Sequence, residues 1–177
     1  MRSLLAISLI AAFTLIGAQI PRQSPELAIM LPNGQQELLT KYKGKVVVLE
    51  FLLTTCPHCQ NSSKLLSKLK TELGAKGFQP LGAAINPEGD VSDFVKRFGV
   101  NFPVGKVSRD TAYAYLQHSI MSPTFYVPQV VFIDRNGVIR AQYGGSDPFL
   151  STNEEANIRA MLEKLLAEPP AKVSKKG

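Results

Sequence analysis

The chain has 177 residues, 45% hydrophobic and 19% charged, with two cysteines, two histidines and no tryptophan, which suits one hydrophobic core of ordinary domain size. Five charges of its net +6 sit at the ends, on Arg2, Arg22, Lys172, Lys175 and Lys176, while all fourteen acids fall between Glu26 and Glu168. These features exclude a disulfide-dense miniature scaffold, a multi-span membrane protein and a disordered chain, and a nearly neutral body speaks against a nucleic-acid partner.

Arg2 precedes an uncharged stretch, residues 3–20, whose most apolar run is 4–16, and Pro21 and Arg22 follow. That is the form of a secretory signal over residues 1–18, cleaved after Ala18. The same length is just enough to cross a bilayer, so an uncleaved N-terminal membrane anchor is the alternative. Either way the folded part is expected outside the cytoplasm, in the bacterial periplasm, where a pair of cysteines can persist oxidised.

Residues 26–168 read as the folded domain. Residues 27–31 and 37–39, around Pro32-Asn33-Gly34, predict a hairpin. Residues 45–53, KVVVLEFLL, form a nearly continuous apolar run rich in β-branched residues, as for a central strand buried on both faces. A helix follows, with Leu65, Leu66, Leu69 and Leu73 on one side and Gly74 as its stop. Residues 78–85 predict a second inner strand. Asp90 and Asp93 open a short helix that Gly99 closes, and 109–117 predict another. Residues 129–134 and 138–142 flank the turn Arg135-Asn136-Gly137. Thr152 and Glu155 predict a capping box for a last amphipathic helix bearing Ile158, Met161, Leu162, Leu165 and Leu166. Residues 169–177 read as a disordered basic tail. This alternation implies an α/β sandwich with a mixed central sheet.

Cys56-Pro57-His58-Cys59 follows the central strand and opens the first long helix. Cys56 therefore sits at the positive end of a helix dipole, which favours the thiolate, the form that attacks disulfides. Pro57 suits the first helical turn, where its missing N–H costs nothing. A protonated His58 would add positive charge beside the Cys56 sulfur. Cys59, one turn inward, is placed to resolve a mixed disulfide, so the expected reaction is two successive exchanges. A ring of this size is strained and reactive rather than an inert staple.

With a later Val127-Pro128 before a strand and an Asn-Gly hairpin, this arrangement resembles the thioredoxin-fold superfamily over nearly all of residues 27–167. The layout is similar to the extracytoplasmic TlpA/ResA-like reductases and redoxins: an N-terminal β-hairpin, a strand-helix insertion before the cis-proline, and the stretch Phe132-Ile133-Asp134-Arg135-Asn136-Gly137. The local spelling, Glu50-Phe51 and Cys56-Pro57-His58-Cys59, resembles the DsbA-type oxidants, so the direction of exchange stays open. The resemblance implies an α/β/α sandwich and a protein thiol-disulfide oxidoreductase. It implies protein thiols and disulfides as substrates, and a membrane or periplasmic redox partner that regenerates the site. No metal or cofactor is expected beyond a redox-active Cys56–Cys59 disulfide. Pro128 matches the cis-proline set against the cysteines, and Val127 the residue that offers its backbone to an extended substrate segment. Glu50 matches the buried acid that moves a proton to or from the inner cysteine. A carboxyl inside an apolar strand has a raised pKa suited to that task, although a neighbouring lysine is an alternative partner. Two departures stand out. Thr55 replaces the aromatic residue that usually precedes the first cysteine, and Ser62 stands where some cytochrome-maturation reductases carry an acid.

Two other functions fit part of the pattern. A thiol peroxidase of the peroxiredoxin class shares the fold but wants Thr and Pro where this chain has Leu53 and Leu49. A copper-binding chaperone would use Cys56, Cys59 and His118 as ligands. His118 alone reads as ordinary surface, and Asn61-Ser62-Ser63 matches a glycosylation sequon inside a predicted helix.

Overall fold

The computed structural model describes residues 19–119, 122 and 124–169. The signal or anchor expected at 1–18, and all but the first residue of the tail expected at 169–177, lie outside the described residues. In chain order the strands are β1 (Arg22–Gln23), β2 (Ala28–Met30), β3 (Gln36–Leu38), β4 (Val46–Leu52), β5 (Phe78–Ala84), β6 (Val104–Lys106), β7 (Gln129–Ile133) and β8 (Val138–Gly144). The helices are α1 (Pro57–Leu73), α2 (Val91–Phe98), α3 (Arg109–Leu116), α4 (Pro148–Ser151) and α5 (Glu154–Ala167). The strands form one mixed sheet in the order β1-β8-β7-β4-β5-β6-β2-β3.

β4 lies mid-sheet, parallel to β5 and antiparallel to β7, and every one of its seven residues is buried. Its continuous apolar run follows from that placement, because helices cover both faces. Val46, Val48 and Leu52 join a core with α1, α2, α4 and α5. Val47, Leu49 and Phe51 join a second core with α3, the hairpin strand β2 and a 3-10 turn at Leu39–Tyr42. The result is the expected α/β/α sandwich with its N-terminal hairpin, and with β6 and α3 inserted between β5 and the proline that precedes β7.

Two local expectations are corrected and a third is refined. α1 ends at Leu73 with Gly74 as its C-cap, as expected, but Gly74 does not turn left-handed: it stays at φ −58° and ψ −40°, and one 3-10 turn follows. The chain reverses at Gly77, whose φ of +98° suits glycine, with the Arg135 guanidinium 2.7 Å from where a Cβ would stand. The capping box does not form either. Asp147 and Pro148 start the short helix α4, Thr152 becomes its end, and Asn153 turns into the left-handed region at φ 55° without a side-chain cap for α5. Asn tolerates that conformation, and Glu155, freed from capping, pairs instead with Lys68 at 2.7 Å and Arg159 at 3.0 Å. Finally, the sheet begins before residue 26. β1 pairs Arg22 with Ile139 on β8, and the Arg22 guanidinium donates to Tyr115 O at 2.7 Å and to Gln142 Oε1 at 3.2 Å. A charge that looked like the flank of an export segment is part of the fold.

Candidate active site

β4 ends at Leu52 and α1 begins at Pro57, so the linking turn carries Cys56 to the C-terminal end of the sheet. That turn is clamped by side chains the sequence reading passed over. Asn86, in the loop after β5, accepts from Thr54 N at 3.1 Å and donates to Thr54 Oγ1 at 3.0 Å, both buried. Gln60 Nε2 donates to Thr54 O at 3.0 Å. Gly89 lies so close that a Cβ there would stand 2.4 Å from Asn86 Nδ2 and 2.6 Å from Thr54 Oγ1. An Asn just past an inner strand was the available signal, since loops at that edge position function.

Cys56 is the N-terminal cap of α1, in extended conformation, and its side chain makes no capping bond. Its N–H donates to Leu53 O at 3.1 Å and its carbonyl accepts from Gln60 N at 3.0 Å. The sulfur thus makes no capping bond at the positive end of the helix and meets the Cys59 thiol instead. Pro57 occupies the first turn, as expected. Cys56 is partly exposed, Cys59 is fully buried, and both are free thiols. Burial pushes the Cys59 thiol well above the ordinary thiol range, and the charge of Glu50 raises it further.

Glu50 projects from β4 toward α1 and is completely buried. Ser63 Oγ donates to its Oε2 at 2.6 Å, while Oε1 has no hydrogen-bond partner among the described residues. Burial raises its pKa to about 8, with Ser63 pulling down and the nearby Glu154 carboxylate pushing up. No lysine pairs with it among the described residues. The hydroxyl of the sequon, Ser63, is therefore committed to the interior. His58 directs Nε2 toward Glu154 Oε2 on α5, 3.5 Å away, so any charge it carries faces an acid as well as the thiol end of the helix. Glu154 escaped the sequence reading because only Glu155 belonged to the expected cap.

The Val127-Pro128 peptide is cis. Pairing of Phe51 with Gln129 brings Pro128 to the C-terminal end of β4, beside the turn that holds Cys56. Val127 packs against both cores, as Cys56 does against one. Gly145 makes room for it: a Cβ at Gly145 would stand 2.4 Å from Val127 O. Tyr126 beside it is 55% exposed. His118 instead packs between Tyr113 and Phe125, with ring centroids 5.2 and 5.0 Å away. Among the described residues no group of three His, Cys, Asp or Glu side chains is arranged to hold a metal ion, so the ligand set Cys56, Cys59 and His118 is not assembled.

The Redoxin family model matches residues 16–162. The chain belongs to the Redoxin family. It is 27% identical over 118 residues to the thiol-disulfide oxidoreductase ResA of Geobacillus thermodenitrificans, a match covering 66% of this chain and 64% of that protein. It is also 27% identical over 135 residues to the thioredoxin-like protein YneN of Bacillus subtilis, covering 74% and 75% of the two chains. The chain spans just under two thirds of the length of the ResA relative. Among solved structures, a thiol:disulfide interchange protein of the thioredoxin family from Chlorobium tepidum matches with a TM-score of 0.68 at 20% identity, over 85% of this chain and 99% of that one. The fold is thioredoxin-like.

Proposed function

We propose that this protein is a thiol-disulfide oxidoreductase that exchanges disulfides with other proteins outside the cytoplasm through the Cys56–Cys59 pair. The observation that carries the reading is the asymmetry of the two thiols: one partly exposed at a helix N-terminus, the other buried one turn away beside a buried acid. When the site acts as a reductant, the Cys56 thiolate attacks a substrate disulfide, forms a mixed disulfide and expels one substrate thiolate. Cys59 then gives its proton to Glu50 and attacks Cys56 Sγ. The Cys56–Cys59 bond forms, the bond to substrate breaks, and the second substrate sulfur leaves as thiolate and is protonated by water. Run in reverse, the same steps oxidise a substrate dithiol. Val127 and the cis Pro128 border the site and offer backbone to an extended substrate segment. A membrane or periplasmic partner restores the starting redox state, and no cofactor beyond the cysteine pair takes part.

The periplasmic placement is supported by the charged start and apolar run of residues 1–18 and by the resemblance to extracytoplasmic reductases. A Cys59→Ser variant is expected to accumulate mixed disulfides with its protein substrates through Cys56, and a Cys56→Ser variant none. Equal trapping by both variants would overturn the assigned roles. The redox potential sets the direction: about −120 mV marks a DsbA-like oxidant and about −270 mV a thioredoxin-like reductant.

A further inference from the structure

We propose that Ser62, Glu154 and His58 form the outlet by which the proton that Glu50 takes from Cys59 reaches solvent. The inference rests on the assignment of Glu50 as the base for Cys59, and it gives His58 a positioning and relay role through α5.

Three buried polar atoms in this part of the molecule make no well-formed hydrogen bond among the described residues: Glu50 Oε1, Ser62 Oγ, which nonetheless lies close enough to the Glu50 carboxyl to stabilise its charge, and Glu154 Oε1. Orphaned polar atoms in a dry interior are costly, so their concentration at one place calls for a function. Glu50 and Ser62 are completely buried, and Glu50 feels both Ser62 and Glu154. Glu154 has two differently placed oxygens. Oε1 is buried, and Oε2 faces His58 Nε2 at 3.5 Å. His58 is 31% exposed and meets water. A carboxylate with one oxygen inward and one toward an imidazole can take a proton on the inner oxygen and, by turning about its Cγ–Cδ bond, present it to the imidazole.

The surrounding charges leave this route open. On α1 the nearby ionisable groups are Cys56, His58, Cys59, Lys68 and Glu72; β4 supplies Glu50; α5 supplies Glu154, Glu155 and Arg159. Lys68 is bound to Glu155 at 2.7 Å, and Arg159 to Glu72 at 2.7 Å and Glu155 at 3.0 Å. His58 is thus the basic side chain left to Glu154 among the described residues. Protonated Glu50 passes its proton to Ser62 Oγ as the Ser62 hydroxyl proton moves to Glu154 Oε1. The Glu154 carboxyl then turns about its Cγ–Cδ bond, which brings the proton to the His58 side, and protonates His58, which releases a proton to water. One proton crosses, no electron moves, and each group returns to its starting state. During oxidation of a substrate dithiol the proton travels inward by the same groups.

The experiment is rapid-mixing kinetics of the folded full-length protein with a disulfide-bonded peptide, resolving mixed-disulfide formation from peptide release. Glu50→Gln, Glu154→Gln, Ser62→Ala and His58→Ala are compared across pH, each checked for cooperative thermal unfolding. Release is expected to slow roughly tenfold relative to mixed-disulfide formation in Glu154→Gln, Ser62→Ala and His58→Ala. Added imidazole is expected to restore the His58→Ala rate. In Glu154→Gln the pH midpoint of release is also expected to fall, because a like charge beside Glu50 is gone. Ser62→Ala keeps every charge, and so serves where Glu154→Gln is poorly folded. Wild-type release in Glu154→Gln and His58→Ala alongside slow release in Glu50→Gln overturns the outlet alone. Wild-type release in Glu50→Gln as well overturns the assignment of Glu50 and the outlet with it.

Discussion

On one face of β4, Val47, Leu49 and Phe51 pack against Ala112, Tyr115 and Leu116 of α3 and the N-terminal hairpin. On the other, Val46, Val48 and Leu52 pack against α1 and α5, and between Val48 and Leu52 stands a fully buried glutamate. The first face is apolar along the whole strand and holds the molecule together. The second gives up part of that cohesion to keep Glu50, Ser62, Ser63 and Cys59 in a dry, polar inclusion beneath Cys56. Residues one position apart on a strand point to opposite faces, so adjacent Glu50 and Phe51 serve different ends, and substitutions there are expected to act with opposite sign.

Phe51→Ala tests the structural face. Phe51 is fully buried, with the Tyr115 ring 5.5 Å away, and its truncation is expected to cost about 3–5 kcal/mol in denaturant unfolding. A loss below about 1 kcal/mol would erase the distinction between the faces. Glu50→Gln tests the other. Because the folded pKa of Glu50 is raised from 4.5 to about 8, the folded state holds a proton that the unfolded chain releases between those values. Stability is therefore fullest below pH 4.5, falls as pH rises toward about 8 and levels off beyond it. Glu50→Gln is expected to remove that decline, so the variant is the more stable protein at pH 8 even though its exchange is slower. Parallel stability curves for the two proteins would remove Glu50 from the inclusion.

Smaller effects are expected at the edges of the two cores. Asn86→Ala leaves Thr54 N and Oγ1 without their partner and is expected to cost about 1–3 kcal/mol. It is also expected to lower the rate at which Cys56 forms mixed disulfides, by loosening the turn that carries it. Arg22→Ala removes two hydrogen bonds at the rim of the apolar face and is expected to cost about 1 kcal/mol with exchange rates unchanged. A change in exchange rate there would show that the two faces communicate.

How far the sequence could be read follows the same division. β4 and α1 were visible because long apolar periodicity outweighs local detail, and α2 because Asp90 and Gly99 cap it as their residue types suggest. β1, β6 and α4 have two to four residues each, too few for a period to register. The misplaced cap at Thr152 has the same origin: Ser, Thr and Asn can all begin a helix, and only the preceding α4 decided which residue was already in use. For the candidate site, Cys56, Cys59 and Pro128 stand out in the sequence by motif and spacing. Asn86, Ser63 and Glu154 do not, because each meets the site from 30, 7 or 98 positions away along the chain from Cys56.

The sequence by itself determined a buried central strand, a helix opening on Cys56-Pro57-His58-Cys59, and an acid placed within that strand. Those are properties of neighbours along the chain, set by hydrophobic period, helix-end chemistry and the strand's alternation of faces. Only the tertiary structure decided what the acid meets. Packing α5 against α1 set Glu154 opposite His58 and within reach of Glu50, and the strength of such electrostatic contacts depends on distance and burial, which no local pattern encodes.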